Sequence, residues 1–566
     1  MKNGLIMWIG LSLWWGLGAA YGTPRVISNL GDPSEATCLA PQSDYLWVGT
    51  RGAGMIRVDD FENRSWGALD GLPGNTVLDC VAHMNVVWVA TETGLARLQA
   101  DGKRFEVLAR GRFLSLASGP DGIVAGRDDG TVFQHQPDGS IRETKTEITP
   151  YALAVSPNGT WAAGSLDGSI WMQGRQVVRT LPTPVRDLAF VGDDLHIRTA
   201  GGGYILRGNQ LEPNDSIGNA LALTDGGQPV HAAQYAHLQA HDAASWRGQL
   251  VLATDEGVHL QSTRGWKQIE LAGMPCGHRI AALTEFDGDL WVGSFDRGLC
   301  RFDGQKWTRF HGPTYLASDM INDLSSDGKK LYVATNRGLT IVDAKGTFQI
   351  FRRDDCVDNT SRKCPWHTAV NGVTVDPVSG VAWMADTGTV HRLNRRRWKR
   401  YYRKAGIHSN KITRIAAFRH TVAVGTSDQG ILVRKRGGKF EPTNDQAGLA
   451  DNWVMDLSFD DQGNLWVATC TRGISVLKDG RWSTLTTQDG LLDNYTLSVQ
   501  QIGTDIWIGS LSGLSILRGE TVTNISTTDG LAGNEVHATV PYKGLIYVAT
   551  NGGLSVVDSG IPRARE

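Results

Sequence analysis

Aromatic and charged residues follow the same kind of turn at regular intervals along the chain. Trp453 comes directly after Asn452, and Tyr495 comes directly after Asn494. Aligned repeats place further residues at this position, and the full set is Arg279, Met320, Ala369, Lys411, Trp453, Tyr495 and Glu535. Aromatic rings stack on the apolar face of a sugar, while charged groups bind its hydroxyl or carboxylate groups.

We therefore predict a binding site for a glycan or small molecule. Its residues would be Arg279, Lys411, Trp453, Tyr495, Glu535 and His537. The alternative is that they are ordinary residues at the start of a strand, several of them turned into packing between neighbouring sheets.

Signs of catalysis are weak. The 14 histidines are scattered, and the chain has neither a Gly-x-Ser-x-Gly nor a His-Glu-x-x-His motif. An enzyme would need a general acid and base near one bond, and only His537 with Lys411 or Glu535 suggests such a pair. His231, His237 and His241 lie close in sequence but lack a supporting carboxylate pattern. We predict no catalytic residue, no metal site and no cofactor.

A run of basic residues marks a second candidate surface. It contains Arg395, Arg396, Arg397, Lys399 and Arg400. Such a surface could hold an acidic polysaccharide, a lipopolysaccharide phosphate or an acidic partner. The alternative, which we favour from sequence, is a solvated sheet edge whose charges prevent pairing with other molecules.

A recurring five-residue segment predicts the fold. It is Leu-Trp-Val-Gly-Thr at Leu46–Thr50 and Leu-Trp-Val-Ala-Thr at Leu465–Thr469, and most neighbouring copies lie about 40 residues apart. This period is typical of the four-stranded blade of a β-propeller. Thirteen units can be recognised, and the interval between Thr199 and Thr254 could hold a shortened fourteenth. The prediction is an all-β protein with two tandem seven-bladed β-propellers built from four-stranded blades, although thirteen blades stay open.

The chain is expected to divide into three parts. In residues 1–22, Lys2 precedes an apolar run and small residues follow it, as in a secretory signal peptide. An uncleaved membrane anchor is the alternative. Residues 23–272 would form the first propeller and residues 273–566 the second. Residues 24–30 resemble the segment before the last unit, so we expect them to supply the outer strand of the last blade.

Seven cysteines fit an oxidising compartment, with one left over. Cys356 and Cys364 flank a short polar loop and are the predicted disulfide pair. Cys276 and Cys300 fall in one repeat and form a weaker candidate pair. Cys38, Cys80 and Cys470 stay unassigned.

The connector between units is the most specific motif. It reads Asp-Gly-Leu-Pro-Gly-Asn at residues 70–75, Asp-Gly-Leu-Leu-Asp-Asn at 489–494 and Asp-Gly-Leu-Ala-Gly-Asn at 529–534. With the Leu-Trp-Val-Gly-Thr segment, it resembles the two-component regulator propeller repeat. The resemblance implies two seven-bladed propellers that form the periplasmic sensor of a hybrid two-component system, often for polysaccharide fragments. Such sensors continue into a membrane helix and kinase domains. We find no counterpart of these and expect a free-standing sensor or binding module.

The formal net charge of -2 gives no reason to expect a nucleic-acid partner. We expect a periplasmic or secreted protein without a transmembrane segment after signal removal. It would bind a glycan or small molecule without converting it, and an envelope protein or a separate sensor kinase could be its partner. The alternatives are a propeller polysaccharide lyase or hydrolase, and a protein-interaction scaffold in the cell envelope.

Overall fold

The computed structural model describes residues 23–560 except for 34, 60–62, 137, 174, 225, 236, 264, 270, 272, 275, 353–368 and 395–396. Within these residues the strands form thirteen four-stranded sheets and one two-stranded sheet. Neighbouring strands within each sheet run antiparallel. The predicted all-β class and its four-stranded blades are therefore confirmed.

The amino-terminal strand β1 (Arg25–Leu30) precedes the first ring of sheets. The first ring, in chain order, consists of β2 (Ala36–Pro41), β3 (Leu46–Thr50), β4 (Met55–Val58), β5 (Asn63–Trp66); β6 (Val77–His83), β7 (Val86–Thr91), β8 (Gly94–Leu98), β9 (Phe105–Arg110); β10 (Phe113–Gly119), β11 (Gly122–Arg127), β12 (Thr131–His135), β13 (Ile141–Lys145); β14 (Ala152–Val155), β15 (Trp161–Gly164), β16 (Ser169–Met172), β17 (Arg175–Thr180); β18 (Val185–Val191), β19 (Asp194–Thr199), β20 (Gly202–Arg207), β21 (Gln210–Pro213); β22 (Ala222–Leu223), β23 (Pro229–Val230); and β24 (Ala240–Trp246), β25 (Gln249–Thr254), β26 (Gly257–Ser262), β27 (Gly265–Ile269).

The second ring consists of β28 (Ile280–Phe286), β29 (Asp289–Ser294), β30 (Leu299–Phe302), β31 (Trp307–Phe310); β32 (Ile321–Ser326), β33 (Lys330–Thr335), β34 (Gly338–Asp343), β35 (Phe348–Arg352); β36 (Val370–Val375), β37 (Ala382–Asp386), β38 (Val390–Asn394), β39 (Arg397–Tyr401); β40 (Ile412–Phe418), β41 (Thr421–Thr426), β42 (Ile431–Arg434), β43 (Glu441–Thr443); β44 (Val454–Phe459), β45 (Leu465–Thr469), β46 (Ile474–Lys478), β47 (Arg481–Leu485); β48 (Thr496–Ile502), β49 (Asp505–Ser510), β50 (Leu514–Arg518), β51 (Thr521–Ile525); and β52 (Val536–Tyr542), β53 (Leu545–Thr550), β54 (Gly553–Asp558), with β1 as its fourth strand.

Helical structure in the described chain is short. It consists of α1 (Asp215–Gly218) and the 3₁₀ turns Ala68–Asp70, Ala233–Tyr235, Arg403–Ala405, Asp445–Ala447, Thr487–Asp489 and Thr527–Asp529. No helix among the described residues has both the length and the apolar character needed to cross a bilayer.

The first strand of each sheet is innermost and packs against the first strand of the next sheet. β2 packs against β24, and β28 packs against β52, so each set of sheets closes on itself. The second strand of a sheet, such as β3, is buried along its whole length because neighbouring sheets cover both of its faces. The short sheet of β22 and β23 lies in the interval where the sequence allows a shortened unit.

The amino-terminal strand β1 pairs antiparallel with β54, at the outer edge of the last sheet. Asn29 holds it there with both ends of its amide: Nδ2 donates to the Gly530 carbonyl at 2.9 Å, and Oδ1 accepts from the Ser555 hydroxyl at 2.8 Å. Val26 is buried against the neighbouring sheet. The chain ends thus meet in one sheet, which covers an edge that would otherwise be open.

Two disulfides lie in the described chain. Cys276 pairs with Cys300, which confirms the weaker of the two predicted pairs. Cys38 pairs with Cys80 and joins the innermost strands β2 and β6, a pairing that the sequence did not assign. Cys470 is free and buried, while Cys356 and Cys364 lie outside the described residues. The two bonds fit an oxidising compartment.

Candidate functional site

The connectors between sheets are 3₁₀ turns that their own side chains fix. The Asp489 carboxylate accepts the N–H of Thr486 at 2.9 Å, and Gly490 ends the turn at φ 101°, a left-handed conformation that favours glycine. Asn494 Oδ1 accepts the N–H of Thr487 at 2.9 Å. The same bond occurs at Asn75, Asn452 and Asn534, at 2.8, 3.0 and 2.8 Å. The connector asparagine is therefore structural, as its side-chain chemistry predicts.

The residues that follow these connectors occupy equivalent backbone positions in the second ring. Each carbonyl accepts a hydrogen bond from the residue that directly follows the second strand of the same sheet. The pairs are Arg279 with Phe295 at 3.1 Å, Met320 with Asn336 at 3.2 Å, Lys411 with Ser427 at 3.0 Å, Trp453 with Cys470 at 3.0 Å, Tyr495 with Leu511 at 3.3 Å and Glu535 with Asn551 at 3.2 Å. Connectors and the loops after second strands therefore share one face, which we call the mouth of the second ring.

An apolar patch lies on the mouth around Trp453 and Tyr495. Trp453 is 48% exposed and Leu511 is 39% exposed. Cys470 directly follows β45 in the preceding sheet, and the interaction of the Tyr495 hydroxyl with its thiol raises the pKa of Tyr495. The N–H of Cys470 in turn donates to the Trp453 carbonyl. Cys470 thus connects the two aromatic residues within one patch.

Charged side chains lie elsewhere on the same mouth. The Arg279 guanidinium lies 5.4 Å from the centre of the Phe295 ring, and the His537 ring meets the same phenylalanine edge-on at 5.3 Å. His537 Nε2 is 3.8 Å from Glu535 Oε2. The Lys411 ammonium lies 3.9 Å from an Asp428 carboxylate oxygen. The sequence suggested His537 with Lys411 or Glu535 as a possible acid–base pair. The structure brings His537 and Glu535 together, whereas Lys411 lies beside Asp428.

His537 is uncharged at neutral pH. Burial, with the nearby positive charges of Arg414 and Arg279, lowers the pKa of His537 to about 4. Its position follows from a bulge in β52 between Val536 and Ala538, which takes His537 out of the regular ladder. The mouth therefore presents a neutral imidazole beside a carboxylate, an arrangement suited to hydrogen bonding with a polar ligand.

Below the mouth, partly buried aspartates join successive innermost strands. Asp323 accepts the N–H of Val373 at 2.8 Å, and Asp456 accepts the N–H of Val499 at 3.0 Å. The first ring has the same link from Asp79 to Leu116 at 2.6 Å and from Asp242 to Leu39 at 2.7 Å. Each of these aspartates follows a bulge at the start of its strand.

The positive charge of one arginine, Arg414, acts on two of these aspartates, Asp456 and Asp323. Arg414 occupies the same strand position in β40, and its Nε lies 3.8 Å from Asp456 Oδ1. Burial raises the pKa of Asp456 to about 6 and also raises that of Asp323, while Arg414 opposes both shifts. Sequence reasoning missed this group. The sequence does contain a sign of it, because the third residue of these aligned innermost strands is charged. These residues are Asp323, Arg414 and Asp456.

The predicted basic run lies at an outer edge, away from the innermost strands. Arg397, Lys399 and Arg400 are exposed on β39, the outermost strand of its sheet. Arg395 and Arg396 lie outside the described residues.

Comparison with known proteins agrees with the repeat. Residues 448–471, which include Trp453 and β45, match the family model described as two component regulator propeller. This match confirms the resemblance that the connectors indicate. No curated protein sequence matches the chain.

Several solved structures are similar to this chain at low identity. PorZ, described as an essential bacterial surface component of the type-IX secretion system of Porphyromonas gingivalis, is 13% identical with a TM-score of 0.55, and the match covers 94% of this chain and 87% of PorZ. The extracellular domain of the putative hybrid two component system BT4673 from B. thetaiotaomicron is 18% identical over 93% of this chain and 70% of that chain, with a TM-score of 0.43. The corresponding domain of BT3049 is 14% identical over 94% and 83%, with a TM-score of 0.44.

Proposed function

We propose that this chain, which carries the two-component regulator propeller repeat, is an exported ligand-binding or sensor-type double β-propeller. It recognises a glycan at the mouth of its second ring and does not convert it. In this proposal each ring has seven blades, and β22 with β23 is a shortened blade of the first ring. Residues 23–272 and 273–566 supply the two rings, with residues 24–30 crossing to the second.

The observation that carries this proposal is the apolar patch of Trp453, Tyr495 and Leu511. An indole that is 48% exposed on the rim of a ring is costly to leave in water unless something covers it. The interaction of Tyr495 with Cys470 limits the ordering that this ring needs when a ligand arrives. A sugar ring would stack on the aromatic faces, and Lys411, Glu535 and His537 would bind its polar groups.

Binding without turnover is favoured by the state of His537. An imidazole whose pKa is about 4 is a weak base at neutral pH. Glu535, at 3.8 Å, is half-exposed. His537 therefore lacks the pKa near neutrality that general acid–base catalysis needs.

Export is supported by the disulfides Cys38–Cys80 and Cys276–Cys300. We propose a periplasmic or secreted location, with a separate sensor kinase or an envelope protein as the partner that reads the bound state.

The test is a screen of the purified chain against glycans, with thermal stability and product formation both measured. A ligand should raise the unfolding temperature without yielding products. Replacing Trp453 and Tyr495 together by Ala should weaken binding by about tenfold or more, since each stacked aromatic contributes roughly 1 kcal/mol. Tyr402→Ala is the matched control, because Tyr402 is 47% exposed and lies outside this patch.

Each result separates the proposal from its alternatives. Release of products would identify an enzyme instead. A large fall in the unfolding temperature of the ligand-free double variant would show that both residues are packing residues. Absence of any glycan effect would favour a scaffold.

A further inference from the structure

Basic side chains cluster between the β36–β39 sheet and the β40–β43 sheet, and we call this cluster the basic groove. We define it by Arg392, Arg397, Lys399 and Arg434, which surround the rings of Trp383 and Tyr401. The Arg392 and Arg434 guanidinium groups each lie 5.8 Å from the Trp383 ring centre. Arg434 also lies 5.0 Å, and the Lys399 ammonium 5.2 Å, from the Tyr401 ring centre. Alternation along β39 puts Arg397 on the same face as Lys399.

The repeats supply an internal comparison for Arg392. Four sheets place an arginine on the third strand directly opposite a second-strand tryptophan: Trp47 with Arg57, Trp88 with Arg97, Trp291 with Arg301, and Trp383 with Arg392. Three of these arginines have a carboxylate partner. Arg57 lies 3.6 Å from Asp59, Arg97 lies 3.0 Å from Glu106, and Arg301 lies 3.5 Å from Asp289.

Arg392 differs, because it has no carboxylate partner among the described residues. Arg57 also faces a cation, Arg64, but it keeps Asp59 as its partner. Arg97 faces Glu106 on the fourth strand of its sheet, whereas Arg392 faces Lys399 at the same place. Like charges directly opposite each other destabilise a sheet. Among the described residues, Arg392, Lys399 and Arg434 make these aromatic contacts and no ion pair, and Arg434 Nε is buried without a hydrogen-bond partner.

We propose that the basic groove binds an acidic polysaccharide, whose repeated carboxylate groups supply the missing negative charge. Arginine presents paired N–H donors that match a carboxylate, and stacking on Trp383 and Tyr401 fixes the direction of the guanidinium groups. Backbone positions two residues apart on a strand lie about 7 Å apart, and neighbouring strands lie about 5 Å apart. A linear polymer of charged sugars can meet such a row repeatedly.

A lipid surface and an acidic protein fit the groove less well. Trp383 and Tyr401 are only 4% and 6% exposed, so their rings offer no apolar anchor for a bilayer. Protein interfaces also depend on exposed aromatic anchors, which cations cover here. The groove therefore offers charge and hydrogen-bond donors only.

The basic groove is separate from the mouth of the second ring. The proposal for the groove does not depend on the glycan-binding function proposed for the mouth. Trp383 lies near the start of β37, whereas the loop on the mouth follows the end of that strand at Asp386. Arg434 ends β42, and Arg397 begins β39, so both lie at the same far end of their sheets. A chain could hold a glycan at the mouth and a polyanion at the groove at once.

The test uses Lys399→Glu in the full chain with polygalacturonate as the probe. This change recreates the Arg97–Glu106 arrangement at Arg392, so the unfolding temperature should stay the same or rise. Binding of polygalacturonate, measured by calorimetry at low salt, should weaken by about tenfold or more because a charge-assisted contact is replaced by repulsion. Wild-type affinity should also fall steeply as salt rises.

Lys267→Glu is the matched control, because Lys267 is exposed on β27 and its replacement changes the net charge equally. It should bind as the wild type does. An uncharged dextran should not bind at all.

Four results would overturn the proposal: no binding of polygalacturonate by the wild type at low salt, unchanged binding by Lys399→Glu, equal weakening by Lys267→Glu, or binding to dextran. Equal or tighter binding of poly-glutamate or of anionic phospholipid vesicles, with the same sensitivity to Lys399→Glu, would assign the groove to another class of partner.

Discussion

Replacing Asp456 by Asn should reduce the pH dependence of the second ring's stability between pH 4 and pH 7. The Asp456 side chain is 23% exposed, and its partial burial raises its pKa from 3.8 to about 6. Because the folded pKa lies above the unfolded one, folding favours the protonated carboxyl group. Its stabilising contribution is therefore fully present below about pH 4 and is lost as the pH rises through about 6.

The magnitude follows from the pKa shift. Two pKa units correspond to about 3 kcal/mol, so the charged carboxylate reduces the free energy of unfolding by about that amount at neutral pH. Asn cannot titrate, but it can accept only one of the two N–H groups, of Leu457 and Val499, that Asp456 now accepts. That loss costs about 1–3 kcal/mol. The variant should be less stable than the wild type at pH 4 and about equal to it at pH 7.

The assay is thermal unfolding of both proteins across this pH range. A change of about 3 kcal/mol corresponds to roughly 5–10 °C for a domain of this size. Arg414→Gln provides a test of opposite sign, because Arg414 lowers the pKa of both Asp456 and Asp323. Its loss should make stability fall more steeply as the pH rises. If Asp456→Asn keeps the pH dependence of the wild type, the carboxylate does not titrate as described.

Two further predictions concern closure and a buried polar group. Deleting residues 24–30 should expose β54 and raise hydrogen exchange across β52–β54 while the first ring stays protected, as mass spectrometry would show; uniform protection would contradict this closure. Thr389→Val should lower the free energy of unfolding by about 1–3 kcal/mol in denaturant titrations, because the Thr389 hydroxyl lies 2.6 Å from Asp386 and 2.7 Å from His391 inside the sheet. Unchanged stability would show that this contact adds nothing.

The sequence predicted the features that recur in every repeat. It missed the contacts that form between residues of different repeats. The period indicated the four-stranded sheets, and the connector asparagine was interpreted correctly because its chemistry is local. The Cys38–Cys80 bond joins two different units, and its partners become neighbours only when innermost strands pack side by side. The Arg414 group was missed for the same reason, since its charges come from three separate sheets.

The basic run shows what the fold adds to a sequence pattern. From sequence, basic residues on an outer strand are most simply explained as protection against edge pairing. That explanation accounts for exposed charges such as Arg400, but it does not account for Arg392, which stacks on a buried tryptophan and faces Lys399. A cation that serves only solubility can have a carboxylate beside it, as Arg97 has Glu106. Solubility therefore does not explain why Arg392 faces Lys399 instead. Among the described residues, Arg392 lacks the carboxylate partner that the arginines at the equivalent position of other repeats have. Such a difference between repeats is a stronger sign of a binding site than positive charge alone.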